Sequence, residues 1–173
     1  MTLDALIASI PTYAKDLQLN YSVLVRDNNE LTPQQLWGTV LASAMTTRNA
    51  SLTGAVEAEA KTHMSDAAID AAKSAAAIMG MTNIYHRFLH LSVNQKYTAM
   101  PTRLRMNALR SHGVAHIDFE LWSLAASAIN GCGKCVDAHE TVLRDKGVVE
   151  DLILGVIRIA SIIHAIGVVL EAG

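Results

Sequence analysis

The stretch Asp118-Phe119-Glu120-Leu121-Trp122-Ser123-Leu124-Ala125-Ala126-Ser127-Ala128-Ile129-Asn130-Gly131-Cys132-Gly133-Lys134-Cys135-Val136-Asp137-Ala138-His139 decides the fold. It reads as two helices broken by a single glycine. Asp118 is placed to cap a helix from Phe119 to about Asn130, and Gly131 supplies the left-handed residue that ends it. A second helix is expected to start near Cys132 and run to about Lys146, with Gly147 as its own left-handed end. At 3.6 residues per turn, positions i, i+3 and i+7 lie within about 60° of one another. Cys132, Cys135 and His139 are therefore expected on one face. If the two helices pack antiparallel across Gly131, Glu120 comes within reach of His139.

Working outward, every other segment also reads as helix. Thr32-Pro33-Gln34-Gln35 is a capping box with proline at the first helical position. Ser65 or Asp66 can cap an alanine-rich helix running to Met81. Aromatic residues are only 5% of the chain, and no convincing alternating strand pattern occurs. The expected fold is all-α. An internal repeat is also expected, because Leu36-Trp37 is echoed by Leu121-Trp122 and Ser43-Ala44-Met45 by Ser127-Ala128-Ile129. The reading is one domain over residues 1–173, with halves at about 32–91 and 118–171 joined by a polar stretch from Ser92 to Ile117. The register puts Arg48, Ser51 and Ala55 opposite Cys132, Cys135 and His139, so only the second half carries the chemistry.

Composition bounds the partners. The 14 basic and 16 acidic side chains give a net charge of −2, which argues against nucleic acid as a main partner. Hydrophobic residues make up 51%, which is consistent with a buried subunit interface. The apolar run from Leu152 to Leu170 contains Arg158 and His164, and is read as a core or interface helix rather than a membrane span. The start, Met1-Thr2-Leu3-Asp4, lacks the basic and apolar regions of a secretory signal, so a cytoplasmic location is expected. In that compartment a C-x-x-C pair points to catalysis rather than to a structural staple.

The pair suggests thiol chemistry. A free thiol, with a pKa near 8.5, is mostly protonated at neutral pH. Three features are expected to lower it: the helix N-terminus near Cys132, the imidazole of His139 one turn beyond Cys135, and the charge of Lys134. A thiolate formed this way can open a peroxide O–O bond to give a sulfenic acid, which the second thiol condenses into a disulfide. The same pair can exchange with an external disulfide. Glu120 would orient His139 as the third member of a nucleophile–base–orienter set, or else serve only the helix dipole. The dipole favours Cys132 as the attacking thiol, and the adjacent base favours Cys135. Zinc finds too few ligands for a closed site, so no metal is expected. His63, His86, His90, His112, His116 and His164 lack a partner pattern and read as surface or core residues. Met79 and Met81 read as packing.

The set Glu120, Cys132, Cys135 and His139 resembles the active-site pattern of the alkylhydroperoxidase D family, in the carboxymuconolactone decarboxylase-like superfamily. The flanks Phe119-Glu120-Leu121-Trp122, Ser127-Ala128-Ile129-Asn130-Gly131-Cys132 and Ala138-His139-Glu140 share the likeness, as do Leu36-Trp37-Gly38-Thr39 and Ala75-Ala76-Ala77-Ile78-Met79-Gly80-Met81. The resemblance implies a homotrimeric, cytoplasmic antioxidant enzyme that reduces alkyl hydroperoxides weakly by itself. It implies no tightly bound cofactor, and it implies electrons drawn from a dihydrolipoyl protein, carried as dihydrolipoamide, and passed to a partner 2-Cys peroxiredoxin. By position it makes Cys135 the more buried thiol, activated by His139 and Glu120, and Cys132 the more exposed one that meets partners. Family members can carry histidine between the cysteines. Lys134 stands there in this chain and cannot shuttle a proton near neutral pH unless its own pKa is strongly lowered. A disulfide-reductase adaptor without peroxidase activity, or a decarboxylase-like enzyme on the same fold, are the alternative readings.

Overall fold

The computed structural model describes all residues from 1 to 173. The chain forms eight α-helices and no strand: α1 Leu3–Ala8, α2 Lys15–Tyr21, α3 Pro33–Thr47, α4 Ala50–Ala60, α5 Asp66–Leu91, α6 His116–Ile129, α7 Gly133–Asp145 and α8 Glu150–Ala172. The capping box on α3 is complete. The Thr32 hydroxyl accepts from the Gln35 amide and the Gln35 side chain accepts from the Thr32 amide, each at 3.2 Å. Ser65 caps α5. That helix runs past the expected end at Met81 to Leu91, because its polar residues find partners: Thr82 donates back to the Ile78 carbonyl, and Asn83 reaches across to α6.

Asp118 is not the cap of α6. The helix begins two residues earlier, with Ala115 at the cap position and no side-chain cap. The Asp118 carboxylate instead accepts from Gln34 at 2.7 Å and from Gln35 at 3.0 Å, tying the start of α6 to the start of α3. A buried carboxylate needs such donors, and the first turn of α3 provides two of them.

Helices α3, α5, α6 and α8 enclose the core, which centres on Trp122, Phe119, Leu41, Ile159 and Ile163. Each fully buried side chain of this size contributes about 1.5–3 kcal/mol. The crossing of α3 and α6 depends on Gly38. A Cβ there would lie 2.1 Å from Trp122 Cε2, so only glycine lets the indole lie against the α3 backbone. The indole N–H then donates to the Gln35 carbonyl at 3.3 Å. Helix α8 is long and apolar enough to cross a membrane, yet half of its most apolar window is buried against the rest of the chain. Its Ile159, Ile163 and Ile166 lie within the core.

The joint between α6 and α7 places the chemistry. Gly131 has φ +67°, and the Cys132 amide donates to the Ser127 carbonyl at 3.1 Å. This is the six-to-one bond of a Schellman turn, and the left-handed residue it needs is a glycine. Cys132 therefore closes α6 and opens α7 at once, with φ −98° and ψ 89°. Gly147 ends α7 in the same left-handed way, as expected.

Candidate active site

Glu120 lies in the second turn of α6 and is almost fully buried. Its Oε2 accepts from Nδ1 of His139, on α7, at 2.7 Å. The antiparallel packing of the two helices brings these residues together, as their spacing suggested. The other carboxylate oxygen faces Nε2 of His116 at 3.5 Å, one helical turn back. Glu120 thus lies between two imidazoles, one partly buried and one exposed.

The thiols depart from expectation in three respects. First, they do not share one helical face with His139 as a set of three, since Cys132 precedes α7 with non-helical dihedrals. Second, exposure is reversed. Cys132 has none at all, while Cys135 keeps 6%. The Schellman turn pins the Cys132 backbone at the joint of the two helices, and its side chain is fully buried. Third, the Cys135 thiol is raised to about 12 rather than lowered. Burial is the largest cause, followed by hydrogen bonding to Cys132, while the Asn83 amide and the Lys134 charge pull the other way. The favourable charge seen in the sequence is present, but desolvation outweighs it. Both cysteines are free thiols.

His139 makes no hydrogen bond to Cys135. Its Nε2 faces the Sδ of Met79, on α5, at 3.3 Å. Met79 was expected to be packing. Instead its sulfur also receives the hydroxyl of Ser127 at 3.2 Å, with Thr82 Oγ1 and Asn83 Nδ2 each at 3.6 Å. Asn83 in turn donates to Ser127 and accepts from Asn130, each at 3.0 Å.

A cleft of about 240 Å³ opens onto this group. Met79, Met106, Leu109 and Ala138 give it an apolar lining, joined by Cys135, His139, His86 and Lys134; Cys132 does not reach it. His86 presents a buried Nδ1 with no partner, and burial followed by the Lys134 charge lowers its pKa. His112 stacks on Phe119 with ring centroids 4.3 Å apart and is lowered by burial, then by His116, with Glu120 opposing. A larger cavity of about 470 Å³ lies beyond Asn83, among Met45, Arg48, Arg87 and Asn130, and neither thiol lines it.

Met79, Asn83, His86 and His116 therefore join the four expected site residues. Of these, only His116 left a usable trace in the sequence, four residues before Glu120 on one helix face. The other three come from α5, whose docking no local pattern announces. His63, by contrast, stacks on Trp37 away from the thiols, and His90 and His164 are exposed.

Residues 95–172 are similar to the carboxymuconolactone decarboxylase family. The full-length relatives show the family. The chain is 62% identical over 172 residues to the alkyl hydroperoxide reductase AhpD of Acidobacterium capsulatum, covering 99% of this chain and 94% of the relative. It is 56% identical over 172 residues to AhpD of Koribacter versatilis, covering 99% and 89% of the two chains. It is 54% identical over 171 residues to AhpD of Solibacter usitatus, covering 99% and 96%. The chain belongs to the AhpD family of alkyl hydroperoxide reductases.

Proposed function

We propose that this protein is an antioxidant thiol peroxidase that reduces alkyl hydroperoxides through a Cys132–Cys135 dithiol/disulfide cycle. The observation that carries this reading is the apolar cleft that reaches Cys135 and His139, with a second thiol directly behind. In the cycle, Cys135 Sγ attacks the outer peroxide oxygen. An S–O bond forms, the O–O bond breaks, and the leaving alkoxide takes a proton to become the alcohol. The Cys132 thiol then displaces water from the sulfenic acid, forming the disulfide. The cleft's access to Cys135 favours that thiol as the attacker and Cys132 as the resolver.

Dihydrolipoamide on a lipoyl protein restores the dithiol by exchange, and the same exchange passes electrons to a partner 2-Cys peroxiredoxin. The working form is a homotrimer in the cytoplasm. Glu120 orients His139, and the imidazole must leave Met79 before it can serve the thiol or the departing alcohol.

The raised Cys135 thiol offers very little thiolate at neutral pH, which slows peroxide attack and disulfide exchange alike, so the relay reading is separated from the peroxidase by assay. The decisive assay follows peroxide loss with dihydrolipoamide beside Cys132→Ser and Cys135→Ser. Loss of activity in both supports the peroxidase. Full activity in Cys135→Ser refutes it. No peroxide loss, but fast dihydrolipoamide oxidation once a peroxiredoxin is added, makes the protein a relay.

A further inference from the structure

Met79 is surrounded as no packing residue need be. A thioether is a weak acceptor and asks for no hydrogen bond. Its Sδ nonetheless faces Ser127 Oγ at 3.2 Å and His139 Nε2 at 3.3 Å, with Thr82 and Asn83 behind at 3.6 Å. Thr82 and Asn83 have other acceptors, in the Ile78 carbonyl and the Ser127 hydroxyl. Sulfur carries no proton, so the Ser127 hydroxyl donates to it. His139 Nε2 faces the sulfur at 3.3 Å while Nδ1 donates to Glu120. The residue is 2% exposed, yet it lines the same cleft as Cys135.

We propose that Met79 is a sulfoxidation site for hydroperoxides that enter the cleft. The inference rests on the reading that alkyl hydroperoxides are the substrates of this cleft. The sulfur lone pair attacks the outer peroxide oxygen, an S–O bond forms and the O–O bond breaks. Sulfur is oxidised by two electrons, the peroxide is reduced, and the alcohol leaves with the proton the hydroperoxide carried.

Two features favour this site. A thioether needs no deprotonation, whereas the neighbouring Cys135 thiol holds its proton tightly. The donors are also better matched to the product than to the resting sulfur, because a sulfoxide oxygen is a strong acceptor. Ser127 Oγ lies 3.2 Å from the sulfur, within reach of an oxygen formed on it. Once formed, the oxygen would persist until a methionine sulfoxide reductase removed it.

The test treats reduced wild-type protein and Cys135→Ser with cumene hydroperoxide and maps each methionine-containing peptide by mass for added oxygen. Met64 is the buried comparator, a core residue 9% exposed, and Met100 is the free one, 56% exposed. Met79 should oxidise at least tenfold faster than Met64 and no slower than Met100. Ser127→Ala should slow Met79 several-fold and leave Met100 unchanged. Met79 oxidising at the rate of Met64, or at an unchanged rate in Ser127→Ala, would overturn the proposal. Cys135→Ser has no dithiol cycle, so Met79 oxidation there stands even if dihydrolipoamide-dependent peroxide loss is never seen.

Discussion

The raised Cys135 thiol makes a quantitative prediction about alkylation by iodoacetamide. With the thiol pushed up to about 12, roughly three molecules in 100,000 carry the thiolate at pH near 7.4, against about 7% for a free cysteine of pKa near 8.5. The thiolate population therefore falls by about 3,000-fold. A more basic thiolate is a better nucleophile, and a Brønsted slope of about 0.45 over 3.5 units returns about 40-fold. The net expectation is alkylation about 10²-fold slower than a free cysteine, before any further slowing from burial. Mass mapping of the Cys135 peptide, with a short unstructured cysteine peptide as internal competitor, gives the ratio directly, and a pH series shows whether the rate still climbs beyond pH about 10. A Cys135 that alkylates as fast as the competitor, or whose rate levels off near pH 9, would refute the claim that burial governs this thiol. It would return the site to the activated thiolate expected from the C-x-x-C spacing.

Three further outcomes follow from the geometry. Glu120→Gln keeps the side chain's shape and removes the charge facing both His139 and His116, so dihydrolipoamide-dependent peroxide turnover should fall about 10²-fold with the fold intact by circular dichroism; unchanged turnover would remove Glu120 from the site. Gly38→Ala drives a methyl into the Trp122 indole, where the nearest ring atom is 2.1 Å from the ideal Cβ, and should destabilise the protein by about 3 kcal/mol; an unshifted denaturant midpoint would contradict the close crossing of α3 and α6. Stability should also fall in alkali. Tyr21 and Cys135 both keep their protons in the fold until about 12, while the unfolded chain releases them at about 10 and about 8.5. Across that window the unfolded state binds fewer protons, so stability declines as pH rises. Urea melts at pH 8 and pH 11 should show the loss, and equal midpoints would count against both burials.

The helix pair at the centre of the molecule was legible because its signals are local. Gly131 and Gly147 end their helices through backbone geometry, Thr32 and Gln35 cap through side chains three residues apart, and Glu120 meets His139 because two short helices across one glycine must fold back together. What escaped the sequence depends on partners far along the chain. Asp118 looked like a cap until α3 offered Gln34 and Gln35. The direction of the Cys135 shift is decided by how much protein covers the thiol, and no spacing rule reports that. Met79 looked like filler because its role comes entirely from Ser127 and His139 on other helices.

The Schellman turn also bears on the order in which the molecule assembles. The α6–α7 hairpin brings Glu120, Cys132, Cys135 and His139 together through contacts that are close in sequence, and such contacts form early in folding. Met79 and Asn83 arrive only when α5 docks, across a separation of 60 residues in the case of Met79 and His139. Before that docking the dithiol is assembled but uncovered, and an uncovered thiol is the more reactive one. Any state in which the hairpin has formed and α5 has not docked leaves the dithiol at its most oxidisable. The finished fold is what shields these sulfurs.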